Sequence, residues 1–120
     1  IESYRVNYYL AGLRLDAAKI FNDPGHPKTI PTIQQAVRVG DAAFVTFPGE
    51  MFSEIGLAIK TQSPVEKTFV IGVTCGPGGY LPAAKEFLEG DYEVNGSAYC
   101  PETEAFCVAS SVGLIGKLGK

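Results

Sequence analysis

Two short, almost wholly apolar runs constrain this chain more than any other feature: AAFVTF at 42–47 and KTFVIGV at 67–73. Both are rich in the β-branched and aromatic residues that suit buried strands. Between them, Met51, Ile55, Ala58 and Ile59 recur at helical spacing over 51–61, and Gln62-Ser63-Pro64 closes that segment. A strand, a helix of about eleven residues and a second strand make a right-handed crossover with the two strands parallel. Just upstream, Gly40-Asp41 divides 36–39 from 42–47 and predicts a tight hairpin turn. The nearly unbroken apolar character of 42–47 places that strand at the centre of its sheet. The expected fold is therefore α/β (α+β): a mixed sheet with a hairpin over about 34–47, the crossover 42–73, and flanking N- and C-terminal helices.

The flanks follow from the same periodicities. Val6, Leu10, Leu13, Ala17 and Ile20 form a stripe along 3–22, a helix expected to pack on one face of the sheet. Asn22-Asp23-Pro24-Gly25 stops it, and the prolines of 23–32 make an extended connection. Past the second strand come the turn-rich TCGPGGYLP (74–82), a short helical piece near 83–88, and EGDYEVNGSAYC, which carries few regular signals. A last helix is expected over 102–117, with Pro101 in its first turn. A length of 120 residues suits one domain over 1–120.

Composition excludes several function classes. A net charge of −3 leaves no basic footprint for nucleic acid. No apolar run approaches the roughly 18 residues of a membrane span, so the chain is not transmembrane by this criterion. It opens at Ile1 without a basic leader, as an excised or processed piece would, so any targeting signal there is would lie upstream and no compartment is assigned. Cys75, Cys100 and Cys107 show neither CxxC nor zinc-finger spacing and are read as structural thiols, though one pair could be bridged.

Few motifs carry chemistry. GVTCGPGG (72–79) lacks the Gly-Lys-Ser/Thr of a phosphate loop and reads as a turn with special backbone angles. His26, the only histidine, sits in the polar connector, where it reads as an exposed loop residue. Glu50, in TFPGEMF, admits two readings: a helix-start carboxylate favoured by the helix dipole, or a ligand at the sheet edge. The crossover bears on the second, because in a parallel sheet both strand C-termini face the ligand-binding side. Glu50 follows the first strand and Tyr80 the second, so the two can meet there; the short helix would return Tyr92 to the same edge. For both tyrosines, core packing with a hydrogen bond is the plainer reading.

VGDAAFVTFPGEMFSEIGLAIK (39–60) followed by FVIGVTCGPGGYLPAAKEFLEGDYEV (69–94) resembles the late catalytic domain of neutral/alkaline (non-lysosomal) ceramidases and their bacterial relatives. The likeness runs from about Thr32 to the final helix. It implies a zinc-dependent amidohydrolase that cleaves N-acyl lipids such as ceramide, a hydrolase of sphingolipid metabolism. By the resemblance, Glu50 and Tyr80 are zinc ligands and Tyr92 is a catalytic tyrosine that polarises the substrate carbonyl. The family's two zinc histidines and nucleophilic serine belong to an earlier segment that this chain lacks. TCGPGG stands where relatives carry an asparagine-containing loop, and the family's immunoglobulin-like domain does not follow. The implied role is that of a C-terminal fragment, inactive alone, that supplies part of a zinc site and self-associates through its exposed sheet edge. The alternative is a noncatalytic structural or interaction domain that keeps only the scaffold.

Overall fold

The computed structural model describes residues 23–25, 31–76 and 78–119. The chain divides into two compact units, Ile1–Pro31 and Thr32–Lys120. The helix expected over 3–22 and the loop residue His26 lie outside the described residues. In the first unit, Asp23 Oδ1 accepts the Gly25 N–H at 2.9 Å and closes the turn that Asp-Pro-Gly favours.

The second unit runs β1 (Ala36–Val39), β2 (Ala42–Thr46), β3 (Glu50–Met51), α1 (Ser53–Gln62), β4 (Lys67–Ile71), β5 (Tyr80–Leu81), α2 (Glu86–Glu89), α3 (Asp91–Asn95) and α4 (Thr103–Gly116). It is a mixed α/β structure, with a three-stranded sheet ordered β1-β2-β4 and a separate two-stranded pair, β3-β5. The hairpin forms as its turn predicts: Val39 pairs with Ala42 across Gly40-Asp41, and Gly40 takes a left-handed φ of 61° that glycine adopts without strain. β2 and β4 are parallel, with Phe44 opposite Phe69, and β2 is the central strand.

Three local expectations are corrected. Residues 50–51 do not begin the helix; they leave it to pair as β3 with Tyr80-Leu81, so α1 starts at Ser53 with Phe52 as its N-cap. The carboxylate in the first turn of α1 is Glu54 instead, which also pairs with Lys85 at 3.1 Å. Pro101 lies one residue ahead of the α4 N-cap, Glu102, and so outside the first turn. Residues 91–95, which carried few signals, form α3, closed by the Gly96 N–H bonding to Tyr92 O.

The two faces of the sheet differ. In-register pairing puts Ala36, Val45 and Val70 on one face, with Ala43 and Thr68 beside them. Helices α1 and α4 cover that face. Ile55 and Ile59 from α1, and Cys107, Val108, Ser111 and Ile115 from α4, complete the core there. Each large apolar side chain so buried contributes about 1.5–3 kcal/mol. Gln34 fastens the start of β1 to α4, accepting from Ser110 Oγ at 2.7 Å and donating to Ser111 Oγ at 3.1 Å. The other face carries Val37, Val39, Phe44, Phe69 and Ile71. Among these Val37 is 55% and Phe69 50% exposed, and Phe44 and Phe69 stack with ring centroids 5.1 Å apart.

All three cysteines are free, with Cys75 and Cys100 exposed and Cys107 buried. Burial pushes the Cys107 thiol up to about 11, which keeps it protonated and unreactive near neutral pH. Thiol labelling of the native chain should therefore modify Cys75 and Cys100 only, with Cys107 reacting once denaturant is added. Native labelling of Cys107 would show that α4 is not seated in the core.

Candidate functional site

The site grows from the shared end of β2 and β4. Phe47 N–H bonds to Ile71 O at 2.9 Å, and Thr74 N–H returns to Phe47 O at 3.1 Å, so the chains leaving the two strands stay together. Pro48-Gly49 then turns the first chain beside the second. From there Glu50-Met51 runs parallel to Tyr80-Leu81, Glu50 opposite Tyr80 and Met51 opposite Leu81. Two main-chain bonds frame this bridge: Glu50 N–H to Gly79 O at 2.8 Å and Phe52 N–H to Leu81 O at 3.0 Å.

Strand alternation divides the labour within the bridge. Leu81 is fully buried and Met51 packs against the core, which anchors the bridge. Glu50 is exposed and Tyr80 half-buried, so carboxylate and phenol occupy the opposite, open side. Glu50 makes no side-chain hydrogen bond or ion pair among the described residues. Tyr80 is held from behind: its carbonyl accepts from Ser97 Oγ at 2.8 Å, and its ring lies against Gly96.

Tyr92 comes to the same place from α3, which packs against β5. The Tyr80 and Tyr92 rings meet edge to face, with centroids 5.8 Å apart and planes at 69°, an arrangement favoured by the ring quadrupoles. Tyr92 is 60% exposed, so core packing does not account for it. The structure thus brings together Glu50, Tyr80 and Tyr92, the residues singled out by sequence position and motif.

Electrostatics add one residue. The Tyr80 phenol is pushed above its ordinary value, chiefly by the Glu50 carboxylate, then by partial burial, Tyr92 and Glu93. Negative charge nearby opposes loss of the phenolic proton. Glu93 was given no role by sequence reasoning. The available signal was its place next to Tyr92 in the Gly-x-Tyr-Glu run, carried on α3 beside β5. Among the described residues no three His, Cys, Asp or Glu side chains gather as a metal group. The cluster therefore sets a carboxylate and a phenol on partnered residues, with a second phenol at their edge.

No family model matches the sequence, and a search of the curated proteins finds no match. Among solved structures, one described as "Ceramidase complexed with C2" matches with a TM-score of 0.64 and 21% identity, over 80% of this chain. The fold is ceramidase-like. The chain spans 16% of the length of that ceramidase chain, so the shared fold is a small part of the larger protein.

Glu50→Gln should lower the Tyr80 phenol towards the ordinary value of about 10, read by NMR titration of ring-labelled tyrosine with Tyr80→Phe for assignment. The folded phenol holds its proton more firmly than the unfolded one. Stability is therefore intact below the ordinary phenol value and falls as pH rises through the folded one. Glu50→Gln should soften that alkaline loss, and an unchanged Tyr80 titration would remove Glu50 from the cluster.

Proposed function

We propose that this chain is the C-terminal portion of a ceramidase-like, zinc-dependent amidohydrolase acting on N-acyl, ceramide-like lipids. In this reading it contributes metal ligands and an oxyanion donor but not the nucleophile. The observation that carries it is the in-register Glu50–Tyr80 bridge at the shared end of two parallel strands, with Tyr92 edge-on to it. The ceramidase-like fold and the motif resemblance support the assignment of chemistry.

The donor set fits half of a zinc shell. Glu50 and Tyr80 would hold the metal, since an exposed carboxylate already suppressing the ionisation of a neighbouring phenol is a pair whose repulsion a cation relieves. Catalytic zinc needs about three protein ligands with one position left open, so the remaining ligands come from outside these residues. When bound, zinc supplies Lewis acidity towards the scissile amide. Glu50 contributes a full negative charge that neutral ligands do not. Tyr92 donates a hydrogen bond to the carbonyl oxygen as negative charge develops on it. Tyr80, in edge contact with Tyr92, holds the donor ring in place.

Three variants in the complete protein test these roles, with metal analysis run alongside kinetics. Glu50→Gln should lower zinc content and activity together, because an amide is a poor substitute for the charge. Tyr80→Phe should weaken the metal less. Tyr92→Phe should leave zinc in place while lowering turnover by about 10²-fold or more. Full zinc and full activity in Glu50→Gln would end the ligand assignment.

The isolated chain should hydrolyse no N-acyl lipid, since it offers two donors and no nucleophile; turnover by this chain alone would refute the reading. The apolar face bearing Val37, Phe44, Phe69 and Ile71 extends the expectation of an exposed sheet edge to a whole sheet surface. In the complete enzyme, further chain would cover it. Alone, the chain should self-associate in sedimentation at high concentration, and a clean monomer would count against that cover.

A further inference from the structure

The bridge depends on how closely two loops cross. Pro48-Gly49 follows β2, and Gly78-Gly79 precedes β5. A Cβ placed on Gly78 would stand 2.7 Å from Gly49 N and equally close to the carbonyl carbon and oxygen of Pro48. One placed on Gly49 would stand 2.7 Å from Gly79 O. Every one of those atoms is backbone and cannot swing aside as a side chain could. Neither glycine has a left-handed φ, so the need is for space and not for conformational freedom. Gly72 flanks the crossing more loosely, its Cβ position lying 3.2 Å from Gly49 O. By contrast, Gly56, Gly113 and Gly116 on the helices have nothing within 4 Å.

The crossing carries the hydrogen bonds that matter here. Glu50 N–H reaches Gly79 O at 2.8 Å, and Val73 N–H reaches Gly49 O at 3.1 Å. To make the second bond Val73 sits at a φ of 55°. A left-handed backbone at a side-chain-bearing residue costs about 1–2 kcal/mol, and for a β-branched residue it is an outlier. The surrounding structure therefore enforces the crossing against a local penalty.

We infer that Gly49 and Gly78 are positioning residues for the Glu50–Tyr80 pair. The absence of side chains at both lets the two backbones cross in contact, and the crossing sets the register that puts carboxylate and phenol side by side. What the pair binds rests on the function proposed above; the crossing does not.

The test uses the full 120-residue chain and two readouts, amide hydrogen exchange and the ring-to-ring contact of Tyr80 with Tyr92 by NMR. Gly78→Ala should speed exchange at the Glu50 amide by about tenfold or more, as local opening does, and loosen the ring contact. The amides of β2 and β4 should keep their protection. Gly72→Ala should shift the same readouts in the same direction by less, and it decides the matter if Gly78→Ala does not fold. Gly56→Ala should change neither. An unaltered Glu50 amide and ring contact in folded variants would overturn the inference. So would uniform loss of protection through β2 and β4 in Gly72→Ala, because the glycines would then serve the fold at large. Failure of zinc to depend on Glu50 would sink the proposed function without touching these exchange rates.

Discussion

The parallel pairing of β2 with β4 is the constraint on which the site depends. Parallel strands must be joined by a crossover, and α1 supplies it while covering one face of the sheet with Ile55 and Ile59. Because both strands run the same way, the chains leaving them emerge side by side. Only then can Pro48-Gly49 pass against Gly78-Gly79 and Glu50-Met51 pair with Tyr80-Leu81. An antiparallel arrangement of the same two strands would send Glu50 and Tyr80 to opposite ends of the sheet.

Much of this was legible because the deciding signals are local. Gly40-Asp41 between two apolar runs specifies a two-residue hairpin, and the spacing of AAFVTF and KTFVIGV specifies a crossover. From the crossover it follows that Glu50 and Tyr80 end near one another. The bridge itself was not legible. Its bonds join residues about thirty positions apart, and no periodicity is visible in two-residue strands. Met51 and Glu50 therefore read as the start of a helix that begins at Ser53, and the helix-start carboxylate proved to be Glu54. In the same way α3 exists because Tyr92 packs on Tyr80 and Gly96 closes its end, contacts that residues 91–95 do not announce.

Core and site also differ in what holds them. The face under α1 and α4 is stabilised by apolar burial, which is non-directional and tolerates small shifts. At the bridge, full burial is reached only at Leu81, and Glu50 and Tyr80 are oriented by directional main-chain bonding, together with the contacts of the Tyr80 ring with Tyr92 and Gly96. The opposite face of the sheet, with its stacked Phe44–Phe69 pair, shows that β2 lacks the alternation of a strand solvated on one side. Val37, Val39, Phe69 and Ile71 stay exposed on it.

The main-chain bonding at the bridge has an evolutionary consequence. Those bonds are indifferent to the exposed side chain at residue 50, so its identity can drift without disturbing the glycines behind it or the core beneath, whereas the Tyr80 ring also packs on Tyr92 and Gly96. A lineage could exchange the exposed carboxylate at position 50, and the scaffold would register little loss of stability to select against the change. The crossing glycines are under the reverse pressure, since any side chain there is felt by the backbone at once. Across descendants of such a chain, Gly49 and Gly78 should outlast Glu50.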